Sequence, residues 1–319
     1  MDDEGIGEEK DAGLVSAHPP PLVSVIVPHF NDLAGLALCL DDLERQTWPR
    51  ERIEIIVADN ASPCGAEALQ RVIRGRARLV TVRERGAGPA RNGGVAAAAG
   101  SVLAFTDSDC RPSPGWLAAG VEALSQFDFA GGRVRVLVED PRHMTSAEAF
   151  EAVFAFDNEA YVRKKGFTGA GNLFCPKILF EAVGGFKVGL SEDVEWSHRA
   201  RAAGYRLGYV AAAEVGHPAR RNWPDLKLKA RKVNTEGFGL FLTKPAGRWL
   251  WLGRSLGLPL SAVVHTPKVL RSPALAGPGQ RLKAIGMLFR VRAWRFFHAL
   301  DLTFSGDPFG KAGAGRSNG

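Results

Sequence analysis

At 319 residues, with 45% hydrophobic and 24% charged residues, the chain can bury a sizeable core, which excludes a fibrous repeat or a disordered polymer. Its four cysteines, Cys39, Cys64, Cys110 and Cys175, form no CxxC pair and no metal-site spacing, which points to a reducing cytosol. Charge is uneven: residues 1–198 carry 20 Lys+Arg against 29 Asp+Glu, whereas 199–319 carry 21 against 5. A basic C-terminal third predicts a phosphate-bearing partner or an anionic membrane face.

Residues 1–21 are acidic, end in Pro19-Pro20-Pro21 and lack the basic and apolar regions of a signal peptide, so a disordered leader is expected. From Leu22 onward strands and helices alternate. Val23–Val27 reads as a buried strand, and Leu33, Leu36, Leu40 and Leu43 recur at helical spacing behind Asn31 or Asp32 as cap. Ile53–Ala58 is a second strand, halted at Asp59-Asn60-Ala61-Ser62-Pro63. A helix around Glu67–Ile73, a strand near Leu79–Val82 and an Ala-rich helix over Pro89–Ala99 follow. The pattern predicts an α/β fold with a mostly parallel sheet flanked by helices and right-handed crossovers.

The run Ser101–Phe105 is a further strand and delivers Thr106-Asp107-Ser108-Asp109 before the break Arg111-Pro112-Ser113-Pro114. Two carboxylates spaced i, i+2 beyond a strand sit at its C-terminal end, where open α/β sheets place ligands. Such carboxylates repel each other unless a cation or strong donor lies between them, and Mg²⁺ favours few carboxylates together with phosphate oxygens. Pro28-His29-Phe30-Asn31 and Asp59-Asn60 occupy two other strand ends, so all three can converge on one ligand. Gly86-Ala87-Gly88-Pro89 reads as a flexible connector first and a phosphate contact second, since it is neither a P-loop nor a dinucleotide fingerprint.

Further on, Pro114–Gln126 is predicted helical, Gly132–Val138 a strand, and Ser146 to about Val162 one long helix with Phe150, Phe154 and Tyr161 in the core. Thr168-Gly169-Ala170-Gly171-Asn172 passes small residues through a tight place. Ser191 is placed to cap a helix whose first turn holds Glu192, Asp193 and Glu195. A strand over Tyr205–Val215 precedes His217, which fits either a metal ligand or a plain turn residue.

The stretches VSVIVPHFND, IEIIVADNAS, GAGPARNGGVAAAAGSVLAFTDSD and LSEDVEWSHRARAAGY, in this order and spacing, resemble family 2 glycosyltransferases of the GT-A fold. The resemblance spans about residues 22–217. It implies a nucleotide-diphosphate-sugar donor, a divalent cation (Mg²⁺ or Mn²⁺) and inversion at the anomeric carbon. Carried over residue by residue, it places Pro28, Phe30 and Asn31 against the nucleoside and Asp59 on the base. Arg91 and Asn92 fall near the diphosphate or base, Asp107 on the ribose or metal with Ser108 beside it, and Asp109 on the metal. His217 completes the metal site or touches the diphosphate. Asp193 takes the position of the inverting base, with Glu192 as the alternative carboxylate. The segment Thr168–Asn172 borders the reaction centre.

Beyond His217 the resemblance thins. Arg220-Arg221-Asn222-Trp223 is not the Gln-x-x-Arg-Trp signature of processive synthases, so a non-processive transfer of one sugar to a hydroxyl acceptor is expected. Lys227, Lys229, Arg231 and Lys232 read as a solvated helix face. Trp249–His265 is too interrupted to span a bilayer, and Leu282–Leu302 mixes aromatic and basic residues as an interfacial or packed helix does.

The domain reading is therefore a leader over 1–21, a GT-A glycosyltransferase domain over 22–218, a basic helical extension over 219–305 and a disordered Gly-rich tail over 306–319. A cytoplasmic enzyme attached peripherally to the inner membrane face, near a lipid-linked acceptor, is expected. Nucleic acid is not an expected partner, because no recognition module is present. The sheet and metal hook alone also fit a nucleotidyltransferase or a non-catalytic nucleotide-sugar-binding or membrane-binding module.

Overall fold

The computed structural model describes residues 19–188 and 190–305. The disordered leader expected over 1–21 falls, apart from residues 19–21, outside the described residues, as does the disordered tail over 306–319.

The first half alternates as the sequence requires: β1 (Val23–His29), α1 (Leu33–Glu44), β2 (Ile53–Asp59), α2 (Gly65–Ile73), β3 (Arg78–Thr81), α3 (Ala87–Ala97) and β4 (Val102–Thr106). A two-residue strand β5 (Arg111–Pro112) and helix α4 (Trp116–Ala123) lead to β6 (Phe129–Leu137) and α5 (Ser146–Phe154). Next come α6 (Asn158–Ala160), β7 (Asn172–Pro176), α7 (Lys177–Val183), α8 (Glu192–Ala202) and β8 (Leu207–Pro218). The C-terminal third is helical: α9 (Trp223–Leu242), α10 (Gly247–Leu256), α11 (Leu258–Leu270) and α12 (Pro278–Ser305).

Eight strands form one sheet in the order β3-β2-β1-β4-β7-β6-β8-β5. Strands β3, β2, β1 and β4 are mutually parallel, β7 runs antiparallel between β4 and β6, and β6 pairs parallel with β8. All seven residues of β1 are buried, as a central parallel strand covered on both faces demands. The period-two alternation sorts its side chains: Val23, Val25 and Val27 pack with Leu36 and Leu40 of α1, whereas Ile26 joins Val95 of α3 on the opposite face.

The register slips between Gly132 and Arg133 of β6, where β8 carries residues 211–213 as surplus. Such a bulge strands backbone carbonyls, and buried amides recover them. Asn172 Nδ2 donates to Arg133 O and Ala213 O, both at 2.9 Å, and Asn158 Nδ2 donates to Gly132 O at 3.0 Å. A Cβ at Gly132 would lie 1.9 Å from Ala213 O, so only glycine fits this crossing.

Several boundaries differ from the sequence reading. The helix expected over Ser146–Val162 stops at Phe154. Asp157 starts a new turn by accepting from Ala160 N at 3.2 Å, and Tyr161–Lys165 continues as a π-turn. Strand β6 starts at Phe129 rather than Gly132, because burial against Trp196 outweighs the turn-like composition of Ala130-Gly131-Gly132. Strand β7 and helix α7 were not anticipated. Strand β8 runs on to Pro218, which puts His217 inside the sheet, opposite Val136.

Helices α9 to α12 pack on the sheet through α5. Met287, Leu288 and Val291 of α12 share a core with Phe150 and Leu226, and Trp251 of α10 packs on Phe238 of α9. Between α5 and the start of α9, buried Glu151 receives Lys229 Nζ at 2.8 Å and the Arg220 backbone N–H at 2.7 Å. Among the described residues no helix is long and apolar enough to cross a membrane.

Candidate active site

Strands β1, β2 and β4 end at one sheet edge, at His29, Asp59 and Thr106. Behind Thr106 the chain turns, with Cys110 N donating to Asp107 O at 3.0 Å. The turn brings ligand atoms of Asp107, Asp109 and Cys110 within 4.8 Å of one another. Burial, with the charges of Asp107 and Asp109 added, pushes the Cys110 thiol well up, so it stays protonated and a poor ligand for a hard cation. Burial also raises the Asp109 carboxyl, His217 partly offsets this, and Asp107 raises it further.

His217 faces this turn with a defined tautomer. Its Nδ1 lies 2.8 Å from the carbonyl of Pro218, which can only accept, so Nδ1 carries a proton. Its Nε2 then faces Asp109 Oδ2 at 3.3 Å. A bare Nε2 and a carboxylate oxygen repel unless a proton or a cation lies between them. Asp109 and His217, whose tautomer is fixed, can therefore share a divalent ion such as Mg²⁺ or Mn²⁺, with Asp107 close to Asp109.

Arg91, buried on α3, ties this hook to the start of α8. Its Nη2 donates to Asp107 Oδ1 at 2.6 Å and its Nη1 to Glu192 Oε1 at 2.9 Å. Burial pushes the Asp107 carboxyl up, but the Arg91 guanidinium outweighs that and the net shift is downward. Asp193 moves the other way: burial and the neighbouring Glu192 charge raise it, and Arg91 only partly compensates. Ser191 stands at the N-cap of α8 as the sequence suggests, but its side chain makes no capping bond. Its hydroxyl donates to Asp193 Oδ1 at 3.3 Å instead, and the Val194 N–H reaches the same oxygen at 2.8 Å.

The segment Gly169–Gly171 lies against both carboxylates. A Cβ at Gly171 would stand 2.7 Å from Asp107 Oδ2, and one at Gly169 would stand 3.7 Å from Asp193 Oδ2. Arg91, Asp107, Glu192, Asp193 and His217 line a common cavity of about 640 Å³. Asp109 lines an adjoining hollow of about 620 Å³, and His217 is shared by the two.

Other residues named from the sequence do not line this cavity. Asp59 is buried, and its carboxylate accepts from the Ser62 hydroxyl and from Ser62 N at 3.1 Å. His29 Nδ1 lies 3.1 Å from Asp59 Oδ1, while its Nε2 accepts from Asp32 N at 3.1 Å, which fixes the proton on Nδ1. Asn31 adopts φ 53° and gives its N–H to Ser62 Oγ at 2.8 Å, and Phe30 beside it is 60% exposed. Pro28 is buried within β1. Asn92 exchanges two 2.8 Å bonds with the backbone of Phe186, which anchors α3 to the segment before α8. Ser108 sits in the turn between Asp107 and Asp109.

The far wall of the cavity had not been read from sequence. Lys229, Lys232 and Glu236 project into it from α9 at i, i+3, i+7, although this stretch looked like a solvated face. Burial lifts the Glu236 carboxyl to about 7, and Lys232, 3.7 Å away, only partly opposes it. Phe156 and Tyr161 line the cavity because the helix breaks before them. The Phe156 ring stands 5.0 Å from that of His217. An Asp-Asn pair at 157–158, a good helix-start signal, was the cue available in the sequence.

Parallel strands whose ends carry paired carboxylates beside a cavity form the kind of edge at which α/β proteins bind nucleotide ligands. The chain belongs to Glycosyl transferase family 2, which it matches over residues 24–195. It is 33% identical over 208 residues to glycosyltransferase AglE of Haloferax volcanii, covering 63% of this chain and 68% of AglE. It is 29% identical over 227 residues to the pre-mycofactocin glycosyltransferase of Mycobacterium tuberculosis, covering 65% of this chain but 47% of that protein. The mannosyltransferase PcManGT from Pyrobaculum calidifontis, solved with GDP-Man and Mn²⁺, superimposes with a TM-score of 0.60 at 19% identity, covering 90% of this chain and 88% of that one. The fold is GT-A, and the chain is a glycosyltransferase that uses a nucleotide-sugar donor.

Proposed function

We propose that the chain transfers a single sugar, with inversion, from a nucleotide-diphosphate-sugar to an acceptor hydroxyl, with Asp193 as base and Asp107, Asp109 and His217 as the metal end. The observation that supports this reading is that Asp107 and Asp193 line one cavity, Asp107 against Gly171 and Asp193 against Gly169. An in-line displacement needs a proton acceptor on one face of the anomeric carbon and stabilisation of the leaving group on the other. The acceptor oxygen forms its bond to the anomeric carbon and gives its proton to Asp193. The bond from that carbon to the diphosphate oxygen breaks, and the electron pair leaves with the diphosphate. A divalent ion held at Asp107, Asp109 and His217 would neutralise the charge of that leaving group.

A carboxyl already raised by burial is a stronger base than a free aspartate, which suits Asp193 to the task. Glu192 is held by Arg91 and serves the site as a fixed charge. We assign the transferase unit to 22–218 and its helical extension to 219–305. The extension exposes Trp249, Leu250, Leu260, Val263, Val264 and Lys268, which supports peripheral contact with an anionic bilayer and a lipid-linked acceptor.

The test is to incubate the protein with UDP-, GDP- and TDP-sugars and Mn²⁺ and to follow release of nucleoside diphosphate. Asp193→Asn should lower turnover by about 10²-fold or more while donor affinity is kept. Release of inorganic diphosphate from a nucleoside triphosphate would instead identify a nucleotidyltransferase. Co-sedimentation with anionic vesicles at low salt tests the membrane contact, and recovery wholly in the supernatant removes it.

A further inference from the structure

The cations around the cavity differ in how they are balanced. At the sheet end Arg91 is bonded to Asp107 and Glu192, and Arg220 and Lys229 are both bonded to Glu151. On the opposite wall stand Arg254 of α10 and Arg295 of α12, with Arg292 one turn before Arg295. Among the described residues, none of these three arginines has a carboxylate within 4.0 Å.

Their polar contacts are few. Arg295 Nε donates to Asn234 Oδ1 at 2.8 Å. Arg254 lies over the rings of Phe241, at 5.7 Å, and Trp251, at 5.5 Å. Arg292 Nε is buried with no partner. Burial, with the charges of Arg292 and Arg254 added, pulls Arg295 down to about 10, so the three guanidiniums repel one another. Tyr161, which lines the cavity with Asp193, is the group that pulls Arg295 the other way.

Gathering like charges without counter-ions costs stability, and a bound anion offsets that cost. The leaving diphosphate belongs at the sheet end with Asp107, so the second anion belongs to the acceptor. Planar guanidinium forks suit the several oxygens of a phosphoryl group.

We infer that Arg254, Arg292 and Arg295 form a phosphate-binding subsite for the acceptor, so that the acceptor is a phosphorylated molecule. The inference rests on the transferase reading above and adds the acceptor's chemical class. The phosphate source is either a lipid monophosphate or a soluble phosphate ester, since both present the same group to the three arginines.

The test measures binding of decyl monophosphate and glycerol 3-phosphate by calorimetry in EDTA, which leaves the carboxylate end unable to hold phosphate through a metal. Wild type should bind, Arg254→Gln should weaken binding about tenfold, and Arg254→Gln with Arg292→Gln should abolish it. Preference for decyl monophosphate by more than tenfold identifies a lipid source, and equal affinity a soluble one. Arg292→Gln should also raise the melting temperature of the ligand-free protein, because it removes repulsion without removing an ion pair. Absence of binding by wild type, or unchanged affinity in the double variant, overturns the subsite. Arg254 is exposed, so its variant keeps the fold and the result interpretable. Donor turnover is measured separately, so its failure would reject the transferase reading and leave the binding result standing.

Discussion

Arg91 Nη2 stands 2.6 Å from Asp107 Oδ1, and the same guanidinium reaches Glu192 at 2.9 Å. One buried cation therefore fixes Asp107 and the first turn of α8, which carries Asp193, relative to each other. Removing one partner of such a group strands the other charges in a poor solvent. Arg91→Gln should destabilise the protein by about 3 kcal/mol, as read by urea denaturation. Arg91→Lys should recover only part of that loss, since an ammonium lacks the fork that bonds two carboxylates at once.

Gly171 and Gly169 make a paired test of the cavity. The added methyl of Gly171→Ala would press on Asp107 at 2.7 Å, whereas that of Gly169→Ala would meet Asp193 at an ordinary 3.7 Å. Gly171→Ala should lower kcat/KM by about tenfold or more, given how steeply rate follows positioning. Gly169→Ala should stay within about threefold of wild type. Steady-state kinetics with both folded variants checks the contrast.

Metal binding is predicted to follow the oxygen ligands. Asp109→Asn should weaken Mn²⁺ binding about tenfold or more, as measured by electron paramagnetic resonance. His217→Ala should weaken it as well. Cys110→Ser should leave it unchanged, because burial keeps that thiol protonated.

Glu236 gives a pH dependence of stability. Its folded carboxyl titrates near 7 against an ordinary 4.5, so the folded state binds the extra proton. The protein is then at no disadvantage from this group below about pH 4.5 and loses stability as pH rises through 7. Glu236→Gln should match wild type at pH 4.5 and exceed it at pH 8, by at most about 3 kcal/mol. Denaturation curves at the two pH values decide the matter, and equal stabilities at pH 8 would count against it.

The donor half of the fold was legible in the sequence because each strand there announces itself. Val23–Val27, Ile53–Ala58 and Val102–Phe105 are unbroken apolar runs that end in polar turns, and burial on both faces enforces that pattern. The hook at Asp107–Asp109 and the first turn of α8 could be read for the same reason. Strand β7 could not, since Asn172-Leu173-Phe174-Cys175-Pro176 is short and its pairing with β4 is set by a chain reversal far away in sequence. The α9 wall was hidden by its own chemistry: Lys229, Lys232 and Glu236 keep helical spacing, but charged residues at that spacing describe a wet face as well as a lined cavity. The engagement of Asp59 by His29 and Ser62 was equally hidden, because it depends on three side chains from two adjacent strand ends.

The match to the family ends at residue 195, whereas α9, α10 and α12 all lie beyond it. The pocket is thus lined both by residues within the matched portion and by residues of α9, α10 and α12 beyond it. Exchanging residues 219–305 with the matching portion of a relative should carry over the choice of acceptor and leave the choice of nucleotide in place. On the proposed reading, recombination at such a seam changes the product without altering the chemistry of the transfer itself.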